Sequence, residues 1–170
     1  CLLAKGRRMS IGQTIWNAIS AEFSDIASVA DVTRIILRLL LAAALGGLLG
    51  YDREKKGKAA GLRTHMLVAL GAALFVLIPQ QMAADVEAVS RILQGVIVGI
   101  GFLGAGAIIK VVEHEEASGL TTAAGIWLTA AIGVATGIGQ ESLAMPSTLL
   151  ALIILALLPK ITHIPEDHAE

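Results

Sequence analysis

A small set of polar side chains stands inside or beside the long apolar runs of this chain. Charged and amide groups are expensive at membrane depth and are therefore candidates for function. The candidates are Asp52, Arg53, Arg63, Thr64, Arg91 and Gln94. Their chemistry is ion pairing, amide hydrogen bonding and oxygen ligation, and we expect any mechanism to be drawn from them.

Asp52 and Glu54 are the candidates for a metal site. Carboxylates at a membrane mouth suit Mg²⁺, which takes few protein oxygens and keeps several of its waters. The alternative is a solvated helix end, neutralised by Arg53 and by an i, i+4 pair of Glu54 with Lys58. Binding of Mg²⁺ stays open without a clear site, and no other cofactor is indicated.

Two further clusters of ionisable residues, in the loop 113–118 and in the tail 163–168, favour solvated charge over metal binding. Neither has the histidine spacing of a zinc site. No nucleophile, base and orienting group stand at a recognisable spacing, and we expect no enzymatic activity.

The composition is that of a membrane protein. The chain has 170 residues, of which 55% are hydrophobic and 16% charged, with a mean hydropathy of +0.76. Soluble domains have about 25% charged residues. The net charge of −1 offers no basic field for nucleic acid, and the single cysteine, Cys1, excludes an internal disulfide.

Five apolar runs predict an all-α bundle of transmembrane helices, since a span needs about 20 apolar residues. The predicted spans are about 35–51, 62–82, 92–109, 120–138 and 143–158. They form a membrane domain over residues 31–160, followed by a tail over 161–170. Residues 1–8 precede Met9, and whether they are native stays open.

An amphipathic helix is predicted before the first span, in the N-terminal region 1–30. Its apolar residues recur at mostly helical spacing; they are Ile11, Ile15, Trp16, Ile19, Phe23 and Ile26. We expect this helix to lie on the membrane interface. A helix packed across the mouth of the bundle is the alternative.

Lys and Arg near the span ends predict the orientation of the chain. The side that holds the loop after the first span carries seven of them, against three on the other side within the range where the rule operates. We therefore expect the N-terminus outside and the C-terminus in the cytoplasm. On the outer side, we expect Arg34 and Arg38 to snorkel to the interface.

Glycines recur at the four-residue spacing that lets membrane helices approach closely. The glycines expected to pack helices are Gly46, Gly50, Gly95, Gly99, Gly101, Gly104, Gly106, Gly133 and Gly137. Residues 99–104 also read G-x-G-x-x-G, but a dinucleotide site needs a preceding strand, and this run lies within an apolar helix.

Three stretches in order resemble the MgtC/SapB family of bacterial inner-membrane proteins. They are Leu45–Phe75, with AGLRTH at 60–65; Ser90–Lys110, with GIGFLGAG at 99–106; and Gly119–Gly139, which opens on GLTTAA. The resemblance covers nearly all of residues 35–160. It implies five membrane helices in the bacterial plasma membrane, with a cytoplasmic C-terminus.

The resemblance also implies a function. Family members are associated with growth under magnesium limitation and, in pathogens, with survival inside macrophages. They are generally regarded as regulatory, acting through membrane partners that include the proton-translocating ATP synthase. This chain resembles the short form without a cytoplasmic domain, and it lacks the fourth-span cysteine of some virulence-associated members, so a virulence role is not carried over.

Two function classes follow from the sequence. The first is a regulatory membrane protein that binds other membrane proteins, with a homo-oligomer left open. The second is a channel or transporter for magnesium or another divalent cation, with a polar route lined by Asp52, Glu54, Arg91 and Gln94. The lack of charge in the fourth and fifth spans favours the first class.

Overall fold

The computed structural model describes residues 10–22, 28–82, 84–109 and 116–161. These residues form six helices and no strand, which confirms the predicted all-α class. The helices are α1 (Ile11–Glu22), α2 (Val29–Lys55), α3 (Leu62–Gln81), α4 (Val86–Ile109), α5 (Glu116–Ile138) and α6 (Glu141–Ile161).

Four helices of the described chain are long and apolar enough to cross a membrane: α2, α3, α4 and the part Gly119–Ile138 of α5. The fully described apolar part of α6, Glu141–Leu157, is shorter. The helix α2 is longer than the predicted span, because helical structure continues from the apolar run into the polar residues at both of its ends. The second predicted span is α3, which continues through Pro79 in its last turn.

The chain divides into two units, of which the first is residues 1–34. Within it, Ser10 begins α1 with a capping box, because its hydroxyl accepts the Gln13 amide while Gln13 Oε1 accepts the Ser10 amide, each at 3.3 Å. The predicted amphipathic helix is therefore present as α1, although its expected apolar residues Phe23 and Ile26 lie outside the described residues. Its location on the membrane interface stays a prediction.

The second unit, residues 35–170, is built around α5, which packs against α3, α4 and α6. The contact with α3 is the closest, because glycines on α5 let the two backbones meet. A Cβ on Gly133 would overlap the Ala69 carbonyl oxygen, and one on Gly137 would lie 2.6 Å from that of Ala73. Close backbone approach of this kind is how membrane helices associate without a hydrophobic driving force.

The helix α2 uses its own glycine pair in the same way against α3. A Cβ on Gly46 would lie 2.6 Å from the His65 carbonyl oxygen, and one on Gly50 would lie 2.7 Å from Leu62 Cα. Beside this contact, α2, α5 and α6 share an apolar core of Leu45, Leu49, Ile132, Ala144 and Ala151. The arrangement fixes the end of α2 beside the start of α3.

The helix α4 is the most exposed of the four long apolar helices, because only 6% of its apolar stretch is buried. Gly104 packs against α5, with a Cβ position 3.6 Å from Ala123 Cβ. A Cβ added at Gly95, Gly99, Gly101 or Gly106 would meet nothing within 4 Å in the described chain. These four glycines therefore pack no helix of the described chain, and an apolar groove of about 480 Å³ separates part of α4 from α3.

Candidate functional site

Polar side chains of the described chain gather at two opposite ends of the second unit. The first end, which we call the α2–α3 corner, comprises residues 52–65, where α2 ends and α3 begins. The second lies around Arg38, which precedes Arg53 by about 22 Å along the axis of α2 at 1.5 Å per residue. The two clusters therefore stand close to the opposite faces of the apolar layer.

Lys56 ties the α2–α3 corner to α6. Its Nζ lies 3.0 Å from Asp52 Oδ2 and donates to the Leu155 carbonyl oxygen at 2.7 Å. That carbonyl lacks its usual helical donor, because the residue four positions on is Pro159, which has no N–H. The lysine supplies the missing hydrogen bond, and Asp52 holds the lysine in place.

Glu54 caps the start of α3. Its Oε2 accepts the Leu62 amide at 2.7 Å, one of the first-turn N–H groups that have no partner within the helix. A carboxylate there also interacts favourably with the positive end of the helix dipole. A Cβ on Gly61 would lie 2.7 Å from the same oxygen, so the glycine makes room for the cap.

Arg53 and His65 are buried at this corner, with 4% and 1% of their surfaces exposed. His65 Nδ1 lies 3.0 Å from the Gly61 carbonyl oxygen and donates to it, since a carbonyl only accepts. The other ring nitrogen, Nε2, is on the edge of the ring that points towards α5, and it lies 3.6 Å from the position of a Cβ built on Gly125. Arg53 is close enough to interact electrostatically with both Asp52 and His65.

Arg63 and Thr64 lie in the first turn of α3 and are exposed. They belong to the same corner as Asp52 and Arg53 but face outward, whereas Arg53 is enclosed. The sequence did not single out His65 as a site residue. Its signal was present, because it is an ionisable residue near the beginning of an apolar run.

The opposite end is organised by Arg38. Its Nη1 donates to Gln80 Oε1 of α3 and to the Gly137 carbonyl oxygen of α5, each at 3.1 Å. Gly139 has φ +89° and leaves the guanidinium the space that a Cβ would occupy. Arg38 therefore bonds to the ends of two other helices, while its position at the membrane interface stays a prediction.

Arg34 behaves differently from Arg38, although it lies one turn away on the same helix. It is exposed and pairs with Asp31 at 3.0 Å.

Arg91 and Gln94 lie in the first half of α4, at the end of the bundle away from the α2–α3 corner. Arg91 Nη1 pairs with Glu87 Oε1 at 2.9 Å, and both side chains are exposed. Gln94 is exposed as well. The candidate residues thus form two separate groups, and Arg91 and Gln94 do not line one route with Asp52 and Glu54.

Buried threonines satisfy their hydroxyls locally. Thr129, Thr136 and Thr148 each donate to the carbonyl oxygen four residues earlier at 2.8 Å. Such bonds place polar atoms in the helix contacts without opening a polar path between the helices. They are typical of structure rather than of a site.

A metal site has little support in the described residues. They contain no group of three or more His, Cys, Asp or Glu side chains placed to hold an ion. The carboxylates proposed as ligands, Asp52 and Glu54, already bind Lys56 and the Leu62 amide. At this corner their observed chemistry is ion pairing and helix capping.

Comparison with known proteins finds relatives over most of the chain. It is 42% identical over 134 residues to "Putative magnesium transporter YhiD" of Escherichia coli K12, covering 75% of this chain and 61% of the relative. It is 43% identical over 137 residues to "Protein SrpB" of Synechococcus elongatus, covering 74% and 75%. It is 44% identical over 117 residues to "Protein MgtC" of Salmonella typhimurium, covering 69% and 49%.

The chain spans about three-fifths of the length of YhiD and about half of that of MgtC. No solved structure matches it. A sequence profile described as the MgtC family matches residues 39–164, which include the α2–α3 corner and all of α4 and begin directly after Arg38. With its apolar helices, this match shows a multi-pass membrane protein, and the chain belongs to the MgtC family.

Proposed function

We propose that this chain serves adaptation to magnesium limitation by binding other membrane proteins, and that it does so as a regulator in the bacterial plasma membrane. Membership of the MgtC family supports the link to magnesium, as does the printed name of its relative YhiD. The observation that favours a binding role is the exposed face of α4. No enzymatic activity is part of the proposal.

The helix α4 has the properties of a membrane docking surface. Phe102 is 82% and Val98 76% exposed, and Gly101 beside them has open space where a side chain would stand. An exposed Gln94 adds an amide that a neighbouring helix can hydrogen-bond, which is favourable within the membrane. The proposed partner is a membrane complex, and the proton-translocating ATP synthase is the one that the family resemblance implies.

The polar groups at the bundle ends support a regulator better than a carrier. The carboxylates of the α2–α3 corner are engaged in an ion pair and a helix cap. A cation route needs ionisable or oxygen-bearing groups that face a shared cavity, whereas the groove beside α4 is lined by apolar residues and glycines.

Gly101→Ile tests the proposal. Because its Cβ position is open, we expect unchanged membrane insertion and unfolding temperature, together with loss of growth of a complemented deletion strain at low magnesium. A photo-crosslinker at Phe102 should recover a subunit of the ATP synthase or another defined complex, whereas one at Leu150 of α6, also exposed, should not. Normal growth of the Gly101→Ile strain would contradict this use of α4.

Magnesium transport is the second candidate, and the name of YhiD is what favours it. Its test is uptake of Mg²⁺ by the purified chain in liposomes that contain a fluorescent indicator. Saturable uptake that Asp52→Asn abolishes would replace the regulatory proposal. Absence of flux, with crosslinking at Phe102 intact, would support regulation.

A further inference from the structure

The Arg53 guanidinium has hydrogen-bond donors that the described chain does not use. The residue is 4% exposed, yet no side-chain hydrogen bond joins it to any residue that the structure describes. Asp52, the carboxylate with which it interacts electrostatically, is hydrogen-bonded to Lys56 instead. Buried guanidinium groups usually satisfy their five N–H donors.

The guanidinium end of Arg53 is not fully enclosed by the described chain. In the described chain, no side-chain nitrogen or oxygen that is shielded from solvent lacks a hydrogen-bond partner. Since the Arg53 nitrogens have no such partner among the described residues, each of them keeps some exposed surface. The 4% of the Arg53 surface that stays exposed therefore includes its guanidinium nitrogens, and this exposed end marks an opening that we infer at the α2–α3 corner.

The surroundings of this opening are positive. Between Asp52 and Arg63 the sequence holds five Lys and Arg residues against two carboxylates. One of those carboxylates is paired with Lys56, and the other, Glu54, caps α3. The buried His65 donates its Nδ1 proton to the Gly61 carbonyl oxygen and adds no negative charge.

We propose that Arg53 binds a phosphate group that enters the α2–α3 corner from the membrane surface. The planar guanidinium matches the oxygens of a phosphate in a bidentate hydrogen-bonded pair, and enclosure strengthens such a pair. Basic pockets between membrane helices bind anionic lipid headgroups through the same chemistry. A lipid headgroup and free inorganic phosphate are the two sources, and the experiment separates them.

The test is thermal unfolding of the full chain in neutral detergent. One arm adds phosphatidylglycerol, with phosphatidylcholine as the uncharged comparison; the other adds inorganic phosphate, with chloride at equal ionic strength. A saturable rise in unfolding temperature with phosphatidylglycerol alone identifies a headgroup site. A rise with inorganic phosphate as well identifies a site for the free anion.

Arg53→Gln and Lys55→Gln form a matched pair of variants, since each removes one positive charge from the corner. Lys55 is exposed and lies over the Tyr51 ring, with Nζ 4.4 Å from the ring centroid. We expect Arg53→Gln to weaken the apparent affinity about tenfold or more and Lys55→Gln to weaken it less than about threefold. Arg53→Lys keeps the positive charge but loses the planar guanidinium, and its apparent affinity should lie between those of the two Gln variants.

Two results overturn the proposal. The first is the lack of a saturable shift in the unmodified chain with either probe, a result that requires no variant to fold. The second is equal weakening in Arg53→Gln and Lys55→Gln, which would show that the basic surface alone attracts the anion.

Discussion

Two polar side chains supply hydrogen bonds to backbone groups that have no partner within their own helices. Pro159 leaves the Leu155 carbonyl without its helical donor, and Lys56 donates to that carbonyl at 2.7 Å. Glu54 likewise accepts the Leu62 amide at the start of α3. A hydrogen bond of this kind contributes about 0.5–1.5 kcal/mol, so these contacts stabilise the corner of the bundle.

The hydrogen bond from Lys56 to the Leu155 carbonyl predicts an energetic coupling between Lys56 and Pro159. Lys56→Met keeps the aliphatic stem but removes the donor, and should lower the free energy of unfolding by about 1 kcal/mol. In a Pro159→Ala background the new N–H supplies the Leu155 carbonyl, so the same substitution should cost measurably less. Unfolding of the four proteins of this double-mutant cycle measures the coupling. A coupling energy of zero would show that Lys56 does not replace the helical donor that Pro159 lacks.

Glycine positions differ sharply in what they tolerate, which predicts opposite effects of one substitution. Gly133→Ala would place a Cβ on the Ala69 backbone and should destabilise the fold by about 1–3 kcal/mol. Gly95→Ala meets open space and should be neutral or stabilise the helix by up to about 1 kcal/mol. Unfolding in detergent compares them; equal effects would contradict the packing of α5 on α3.

At the scale of helices, hydropathy alone places the apolar elements, because a span must be long and apolar whatever it packs against. Which helices meet was not predictable from it. Gly95 and Gly133 stand in equally good four-residue glycine pairs, yet a Cβ would meet open space at the first and the Ala69 backbone at the second. The burial of Arg53 was equally hidden, since it depends on how α2 and α3 fit together.

Arg38 shows how one side chain joins α2 to the ends of α3 and α5, and Arg34 provides its control. Arg38→Met loses both the Gln80 and the Gly137 hydrogen bonds, and should lower the free energy of unfolding by about 1.5–3 kcal/mol. Arg34→Met loses an exposed ion pair worth about 0–1 kcal/mol. Chemical denaturation of the two variants measures the difference. Similar losses would mean that the bonds of Arg38 do not hold α3 and α5.

At the scale of the whole molecule, the two polar clusters stand about 22 Å apart along α2, a separation that suits the two ends of a membrane-spanning bundle. The α2–α3 corner carries more positive charge than the Arg38 end, and positive charge favours the cytoplasmic side. The phosphate site proposed at Arg53 would then face the cytoplasmic leaflet, and the exposed face of α4 would lie between the two ends. Orientation therefore bears on both proposals.

Cysteine labelling tests that orientation in intact cells. Cys1 is the one cysteine of the chain, so a Cys1→Ser background allows single cysteines at Ala59, in the α2–α3 corner, and at Gln140, between α5 and α6, both exposed. We expect a membrane-impermeant maleimide to label Gln140→Cys directly, but Ala59→Cys only after the membrane is permeabilised, because positive charge favours the cytoplasmic side. The reverse labelling pattern would show that the bundle has the opposite orientation. Labelling of both cysteines in intact cells would exclude a single orientation.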